Sequence, residues 1–357
     1  MKSNYDILGN HIRLIDTRNR ESITDRVLGI NIDKFFMPSV ANVIGTDLSK
    51  YKLITKGKFA CNPMHVGRDE RLPVALYDEE KPAIVSPAYF MFEVIDNSIL
   101  NEDYLMMWFR RPEFDRICWL HTDGSVRGGI TWDDICRLEL PIPPIENQLE
   151  IVNSYKAITE RIALKQKIND NLDDTAQTLY QKYFESNSDK SSWKQGTVGD
   201  VLQLQRGHDL PRTEMTGGKY PVAGSTGTIG YHDEFTAEAP VIVMGRSGNI
   251  GNPRLYLCNC WTHNTSLYVK QINEAEPLWV FYLLKNLNYD GFVGGSAVPT
   301  LNRNDVHAYG IAIPPLELQK SFSQKVMSLI YCKEENLSEI EKLQELQKII
   351  LTTMSSR

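Results

Sequence analysis

Two long segments without glycine or proline most constrain how this chain can fold. The central segment, residues 145–185, follows a Pro-Pro pair, and its apolar residues recur every three or four positions. This spacing predicts a helix with one apolar face, which at 1.5 Å per residue would extend roughly 60 Å. The C-terminal segment, residues 316–357, has the same pattern. Because a long apolar face with polar flanks needs a partner, the two helices are predicted to pack against each other.

The two helices begin alike because the chain contains an internal repeat. The sequence LPIPPIENQ at 140–148 matches IAIPPLELQ at 311–319, with an offset of 171 residues (314 − 143). The same offset aligns Ile130 with Leu301. Proline is tolerated in the first turn of a helix, where its missing N–H would have no partner. The repeat therefore predicts two copies of one unit, a globular domain followed by a long helix.

The segments that precede the helices are predicted to be globular domains in which strands dominate. Short apolar runs broken by glycine, proline and asparagine predict strands and turns, and residues 197–205 are predicted as a strand. Helical spacing predicts one short helix in each domain, at 102–111 and at 277–287. The predicted fold class is α+β, with two globular mixed α/β domains separated by two long antiparallel helices (a coiled coil) in a pseudo-twofold internal repeat. The predicted boundaries are 1–143 for the first domain, 144–185 for the central helix, 186–314 for the second domain and 315–357 for the C-terminal helix.

Composition and charge limit the classes of function. The net charge is −6, from 39 Lys and Arg against 45 Asp and Glu, so any DNA-binding charge must be gathered locally or shared with partner subunits. No apolar run approaches the ~20 residues of a membrane span, and the N-terminus lacks the apolar core of a signal peptide. The six cysteines form no CxxC pair, which indicates free thiols rather than a zinc site. We therefore expect a cytoplasmic protein without a membrane partner.

The sequence predicts no catalytic residue, metal site or cofactor in this chain. It contains no GxxxxGK[ST] motif, and its seven histidines are scattered. Residues 62–65 (NPMH) are similar to the Asn-Pro-Pro-aromatic motif of amino-methyltransferases but lack the second proline and the aromatic residue. The glycine-rich loop at 245–251 lacks the GxGxxG spacing and is interpreted as a structural turn or as a contact to the DNA backbone.

If the chain binds DNA, basic and polar side chains in the predicted loops are the candidate contacts. Arginine suits this role because its planar guanidinium donates two parallel hydrogen bonds to guanine edges or phosphates. For any single one of these residues, a solvated surface charge is the default interpretation. The predicted set is Arg18, Arg20, Arg68, Arg71, Arg127, Arg206, Arg212, Lys219, Arg246, Asn249 and Arg303.

Several segments resemble the DNA-specificity subunit of type I restriction–modification enzymes. They are the two IPP-[IL]-E-x-Q helix starts, SAVPTLNRNDV at 296–306, MGRSGNIGN at 244–252 and SPAYFMFEV at 86–94. The resemblance covers essentially the whole chain. The two halves differ at one loop, where the first has VRGGITW (126–132) and the second has AVPTLNR (297–303).

This resemblance implies that each globular domain reads one half of a split double-stranded DNA sequence. The helices would then form an antiparallel spacer that binds two modification (methyltransferase) subunits. The resemblance also implies that those partners bring S-adenosylmethionine and methylate adenine, and that restriction (motor–nuclease) subunits bring ATP and Mg²⁺. The chain itself would be a non-catalytic subunit.

Two other functions are weighed against this one. The first is a coiled-coil scaffold whose globular domains bind protein rather than DNA, which a DNA shift assay would separate from the specificity subunit. The second is an autonomous DNA methyltransferase, which the missing cofactor and catalytic motifs disfavour.

Overall fold

The computed structural model describes residues 4–40, 44–64, 66–122, 128–294 and 300–354. The chain divides into two compact units. Unit 1 comprises Met1–Leu164 and Glu339–Arg357, and unit 2 comprises Lys165–Ser338. Each unit thus contains one globular domain together with part of each long helix.

Short strands and helices form the globular part of unit 1. In the described residues its strands are β1 (Tyr5–Ile7), β2 (Ile12–Leu14), β3 (Val27–Ile30), β4 (Phe36–Pro38), β5 (Lys52–Ile54), β6 (Lys58–Cys61), β7 (Val74–Tyr77), β8 (Ala83–Val85), β9 (Phe90–Val94) and β10 (Glu139–Pro141). Its helices are α1 (Val66–Asp69), α2 (Glu102–Phe109), α3 (Pro112–Leu120) and α4 (Trp132–Cys136), and the long helix α5 (Ile145–Tyr180) follows β10.

The strands of unit 1 form two four-stranded sheets and one short pair. The first sheet is antiparallel with the order β2-β9-β6-β7, and the second has the order β4-β3-β8-β5 with one parallel pair, β3–β8. Strand β10, which directly precedes α5, pairs antiparallel with β1 from the start of the chain. The larger core packs the first sheet against α2, α3 and the two long helices, and it includes Phe59, Phe92, Val152 and Met354.

Unit 2 repeats this plan with different strand lengths. In the described residues its strands are β11 (Lys194–Thr197), β12 (Leu202–Arg206), β13 (Tyr220–Gly224), β14 (Gly227–His232), β15 (Val241–Gly245), β16 (Gly251–Tyr256), β17 (Trp261–Thr262), β18 (Ser266–Ile272), β19 (Val293–Gly294), β20 (Thr300–Leu301) and β21 (Gly310–Ile313). Its helices are α6 (Val198–Val201), α7 (Pro277–Asn286) and α8 (Arg303–Ala308), and the second long helix is α9 (Leu316–Thr353).

The sheets of unit 2 correspond to those of unit 1. One is antiparallel with the order β12-β18-β15-β16, and another has the order β14-β13-β17 with a parallel β13–β17 pair. Strands β11 and β21 pair antiparallel before α9, as β1 and β10 do before α5. The main core packs the first sheet and α7 against aromatic residues of the long helices, among them Tyr180, Phe184 and Phe322.

Contacts within each unit show that α5 and α9 run antiparallel. In unit 2, Lys165 Nζ donates to Asn336 Oδ1 at 2.8 Å, while Tyr180, farther along α5, contacts Phe322, which lies earlier in α9. In unit 1, Gln347 Nε2 donates to Thr159 Oγ1 at 2.7 Å, and Arg161 forms an ion pair with Glu339. In every pair the residue number rises along one helix as it falls along the other.

A buried glutamine near the start of each long helix shows that the sequence repeat is a structural repeat. Gln148 accepts a hydrogen bond from the Asn101 backbone N–H at 2.9 Å and donates to two carbonyls, of Ile99 and Pro143, each at 2.8 Å. Gln319, 171 residues later, accepts from the Glu276 N–H at 2.9 Å and donates to the Pro314 carbonyl at 2.9 Å. Each glutamine therefore joins the start of its long helix to the start of the short helix α2 or α7.

The structure confirms the mixed α and β class and the two long antiparallel helices, and it corrects several local predictions. Residues 198–201 form a helical turn rather than a strand, because Thr197 and Asp200 cap each other reciprocally. Helix α3 was not predicted. The predicted apolar face is not fully covered: four of its members are exposed, namely Leu149, Ile168, Leu337 and Leu346.

Candidate nucleic-acid interface

Three of the predicted arginines line one open cleft in unit 2. The cleft has a volume of about 460 Å³. Its walls are formed by Arg206, Arg246, Leu267, Thr300, Leu301, Asn302 and Arg303. The sequence alone placed these arginines in separate loops, whereas the fold gathers them around one concave surface.

The sheet β12-β18-β15 and helix α8 bring these arginines together. Arg206 ends β12 and lies opposite Leu267 of β18, and on the other side of β18 Met244 of β15 also pairs with Leu267. Arg246 follows β15 directly, and its N–H donates to the Thr265 carbonyl at 3.0 Å. The Arg246 carbonyl accepts from the Leu301 N–H at 2.8 Å, which fixes the segment that leads to Arg303, the first residue of α8.

The cleft carries little compensating negative charge. Arg206 is 3.6 Å from Asp209 and is 51% exposed, so this ion pair is weak. No ion pair of Arg246 or Arg303 is present within the described part of the chain. An anion such as a DNA phosphate could therefore bind these two guanidinium groups without first displacing a carboxylate of the protein.

Histidine 307 holds α8 against the sheet. Its Nε2 accepts a hydrogen bond from the Leu204 N–H at 2.8 Å, which requires an unprotonated Nε2. Burial and the neighbouring Arg303 guanidinium lower the pKa of His307, so the neutral form is favoured. The imidazole thus supports the position of Arg303 without competing for an anion.

The glycine-rich loop after β15 is a structural turn in which Asn249 has a structural role. The Asn249 Nδ2 donates to the Ser225 carbonyl at 3.1 Å, and its Oδ1 accepts from Asn252 Nδ2 at 2.9 Å. A side chain at Gly245 would overlap the Asn249 carbonyl oxygen, so this turn requires glycine there. Any DNA contact by Asn249 would have to replace bonds that the fold already uses.

The remaining predicted residues of unit 2 lie away from the cleft lining. Arg212 begins a 3₁₀ turn, Arg212–Glu214, and is exposed. Lys219 is also exposed, with its Nζ 5.4 Å from the centre of the Tyr220 ring.

In unit 1 the predicted arginines have mixed surroundings. Arg18 is 2.6 Å from Asp16 and donates to the Lys50 carbonyl at 2.7 Å, and Arg71 is 2.9 Å from Asp33. Arg20 is exposed in a turn. Arg68 lies in α1, but its side chain is outside the described residues, as is the whole of Arg127.

Unit 1 has different residues at positions equivalent to the cleft. The Ile130 N–H donates to the Pro63 carbonyl at 3.2 Å, as the Leu301 N–H does to Arg246. Pro63 therefore stands where unit 2 has Arg246. The 171-residue offset places Trp132 at the position of Arg303 (303 − 132), and Trp132 packs on Phe90 and Phe92. The two halves of the repeat thus present different chemistry at matching positions.

Two features are absent from the described residues. These residues contain no group of three or more His, Cys, Asp or Glu residues arranged to hold a metal ion. Among the helices of the described part of the chain, none combines the length and the apolar character needed to cross a membrane.

Comparison with known proteins shows which family the chain is similar to. Residues 190–349 match the family model of the type I restriction modification DNA specificity domain. Over 98% of its length the chain is 22% identical to the protein named as the type I restriction enzyme MjaX specificity subunit of Methanocaldococcus jannaschii, of which 88% is covered. The second globular domain and most of the second long helix thus match the type I DNA specificity domain.

Two solved structures from type I restriction–modification systems share its fold. The S subunit of a type I restriction–modification system from M. genitalium has a TM-score of 0.63 at 16% identity, covering 99% of this chain and 96% of that one. A chain from a structure on complex assembly and conformational transition of the type I system has a TM-score of 0.51 at 16% identity, covering 98% of this chain and 96% of that one.

The matched family agrees with the predicted catalytic status. The specificity subunit of a type I system is its non-catalytic, DNA-recognising component. The arginine lining of the cleft in unit 2 suits the recognition of phosphates or guanine edges.

Proposed function

We propose that this specificity subunit reads a bipartite, asymmetric double-stranded DNA target, one half with each unit. In this proposal residues 1–143 and 186–314 are the two target recognition domains, and 144–185 and 315–357 are the spacer helices. The observation that carries the proposal is the convergence of Arg206, Arg246 and Arg303 on one open cleft of unit 2. Guanidinium groups on a concave surface suit both phosphate contact and bidentate readout of guanine.

The differences between the units support an asymmetric target. Where unit 2 has Arg246 and Arg303, unit 1 has Pro63 and Trp132. Because side chains at the recognition surface decide which base edges can be contacted, the two half-sites should differ in sequence. Arg18, Arg20, Arg68, Arg71 and Arg127 remain the proposed DNA contacts of unit 1, and Arg212, Lys219 and Asn249 complete the proposed set in unit 2.

The exposed apolar residues of the long helices support docking of methyltransferase subunits. Leu164 of α5 is 59% exposed and Ile349 of α9 is 56% exposed, and Leu149, Ile168, Leu337 and Leu346 of the same two helices are exposed as well. Exposed aliphatic side chains on a rigid helix are typical of surfaces that a partner covers. We propose that two modification subunits bind here and that restriction subunits join the resulting complex.

Catalysis is then assigned to the partner subunits. Modification subunits would supply S-adenosylmethionine for adenine methylation, and restriction subunits would use ATP and Mg²⁺ for cleavage. We place the complex in the cytoplasm, where the host DNA is accessible.

Arginine substitutions in the assembled methyltransferase complex test the DNA-reading role. Arg246→Ala and Arg303→Ala should each weaken binding to the target DNA. If the lost contact is to a phosphate, the slope of log K against log salt should fall by about 0.9 for each substitution. Arg116→Ala, which removes an exposed arginine of α3 in unit 1, is the matched control. Affinity and salt slope would be measured by fluorescence anisotropy over a range of salt concentrations.

Two outcomes would count against the proposal. If both cleft variants bind target DNA as the wild-type complex does, the cleft is not the interface of unit 2. The wild-type complex should bind its target DNA more tightly than random-sequence DNA. If it does not, DNA reading is rejected in favour of the scaffold function, in which the globular domains bind protein. Folding of each variant would be checked by its thermal unfolding midpoint.

Docking is tested separately. Leu164→Asp should reduce co-purification of the modification subunit, because it places a charge within a surface that association would bury. Leu120→Asp, at a site on α3 that is 72% exposed, is the control. Equal recovery of the modification subunit with both variants would remove Leu164 from the proposed interface.

A further inference from the structure

A group of aromatic rings beside the arginine cleft has no place in the contacts proposed above. The Trp261 ring lies between two histidines, with its centre 5.1 Å from the His232 ring and 6.3 Å from the His208 ring. The His208 ring also faces Tyr268 at 6.3 Å. His208 is exposed, and Trp261 and His232 are half-buried. We call Trp261, His208 and His232 the aromatic patch.

The backbone holds the aromatic patch in a fixed position. His208 follows β12, and its N–H donates to the Thr262 carbonyl at 2.7 Å. The preceding Gly207 lies so close to this strand that a side chain there would overlap the His263 carbonyl oxygen. Trp261 in turn pairs with Val222 of β13, and its indole N–H points to the His208 carbonyl at 3.5 Å. The rings are therefore presented by strands rather than by a free loop.

The aromatic patch and the arginine cleft lie at the same end of strands β12 and β18. Arg206 ends β12 and lines the cleft, and His208 follows it by two residues. Leu267 lines the cleft from one face of β18, whereas Tyr268, on the opposite face, contacts His208. The Thr262 carbonyl, which accepts from the His208 N–H, is only five residues from Leu267. A duplex bound at the cleft would therefore pass close to the aromatic patch.

The chemistry of the aromatic patch suits one feature of the major groove. The half-buried indole offers apolar surface next to imidazole edges that can donate or accept hydrogen bonds. In the major groove, the C5-methyl of thymine is the one apolar group on a base edge, and it lies beside hydrogen-bonding groups. An arginine cleft alone reads guanine or phosphate and gives no means of recognising this methyl group.

We propose that the aromatic patch reads a thymine methyl group within the half-site of unit 2, with Trp261 as the contacting side chain and His208 and His232 holding its ring. This inference rests on the DNA-reading function proposed above. It adds a specificity-determining contact that is apolar and therefore does not change the salt dependence of binding. It also predicts that the half-site of unit 2 contains at least one A·T pair.

Replacing thymine by uracil, which lacks only the methyl group, tests the contact directly. The reconstituted methyltransferase complex would be bound to its target duplex with each thymine replaced in turn by deoxyuridine. At one position the wild-type complex should lose about fourfold in affinity, the amount expected for one buried methyl group. The Trp261→Ala complex should bind the natural duplex more weakly than wild type and show no further loss with deoxyuridine at that position. Trp261→Phe should retain part of the discrimination.

A matched control separates the contact from general destabilisation. Trp119→Ala removes a 41% exposed tryptophan of α3 in unit 1 and should keep the full deoxyuridine effect at the position read by Trp261. The thermal unfolding midpoint of each complex would confirm that the variants are folded.

The outcomes are distinct. A wild-type complex that is indifferent to deoxyuridine at every position, or a half-site of unit 2 built only from G·C pairs, overturns the inference while leaving the arginine cleft in place. A deoxyuridine penalty of the same size in wild-type and Trp261→Ala complexes also overturns it, because the methyl group is then read by another residue. Absence of sequence-specific DNA binding by the wild-type complex would refute the proposed function and this inference together.

Discussion

The paired glutamines near the starts of α5 and α9 give a prediction whose size follows from the structure. Gln148 is completely buried and makes three hydrogen bonds, whereas Gln319 is 1% exposed and makes two. Replacing either by leucine would leave its backbone partners unpaired in buried or partly buried surroundings. An unpaired buried polar group costs about 1 to 3 kcal/mol.

At the lower limit of that range, Gln148→Leu should destabilise unit 1 by about 3 kcal/mol and Gln319→Leu should destabilise unit 2 by about 2 kcal/mol. The effects should also be local. Gln148→Leu removes the bond that protects the Asn101 amide, and Gln319→Leu removes the one that protects the Glu276 amide. Each substitution should therefore expose a different short helix start.

Hydrogen exchange followed by mass spectrometry on the full-length chain measures both effects. Peptides that contain Asn101 should exchange faster in Gln148→Leu alone, and peptides that contain Glu276 should do so in Gln319→Leu alone. The control is Gln166→Leu, at an exposed position of α5, which should change stability by no more than about 0.5 kcal/mol. Unchanged protection of both amides, or equal exchange in all three variants, would refute the assigned hydrogen-bond role of the glutamines.

Three further predictions concern glycine, the helix pair and a buried charge. Gly207→Ala should weaken DNA binding and lower the unfolding midpoint, because the added methyl group would overlap the His263 carbonyl oxygen. The control is Gly217→Ala, at a positive φ of 73° with open space around it, which should reduce the free energy of unfolding by only about 1 kcal/mol and leave binding intact. Asn336→Leu should destabilise unit 2 in a denaturant titration, because it removes the hydrogen bond that Asn336 Nδ2 donates to Oδ1 of the buried Asn169 at 2.9 Å. The double variant with Asn169→Leu should recover part or all of the lost stability. Lys34 donates to Asp115 at 2.6 Å inside unit 1, and burial lowers the pKa of Lys34. Between this lowered pKa and the ordinary value near 10.4 the unfolded chain binds more protons than the folded one. Stability should therefore rise with pH across that window, and the rise should be absent in Lys34→Met.

Sequence patterns were sufficient to predict the long helices and the repeat. The Pro-Pro pairs and the absence of glycine and proline over about 40 residues leave few structures other than a helix, and the offset of 171 residues reappears in the Gln148 and Gln319 contacts. The turn at 198–201 was mistaken for a strand because it leads directly into the alternating apolar residues Leu202 and Leu204 of β12. The reciprocal Thr197–Asp200 cap was the available signal for a helix.

The candidate site could be predicted only in part. Arg206, Arg246 and Arg303 were selected for their chemistry, but nothing in their spacing shows that β18 brings two of them together beside α8. Asn249 was selected in the same way, yet the fold uses its amide within the turn. Burial and partner choice depend on tertiary contacts. Sequence alone therefore cannot distinguish an arginine that is available to DNA from one that is paired within the fold, as Arg71 is with Asp33.

The aromatic patch was not predicted because its members are widely separated in sequence. His208, His232 and Trp261 belong to three different strands or strand ends, and no periodicity links them. Gly207 was the one available signal, since a glycine at the end of a strand can mark close approach of another backbone segment.

The central claim, that each unit reads one half of a split target, is tested most directly by mapping the methylated motif of the reconstituted complex across a genome. The motif would be determined for the natural chain and for one in which residues 186–314 are replaced by the matching segment of another specificity subunit. We predict two half-sites separated by an unread spacer, and a replacement that changes one half-site while the other stays the same. A continuous motif, or a replacement that changes both halves, would contradict the claim.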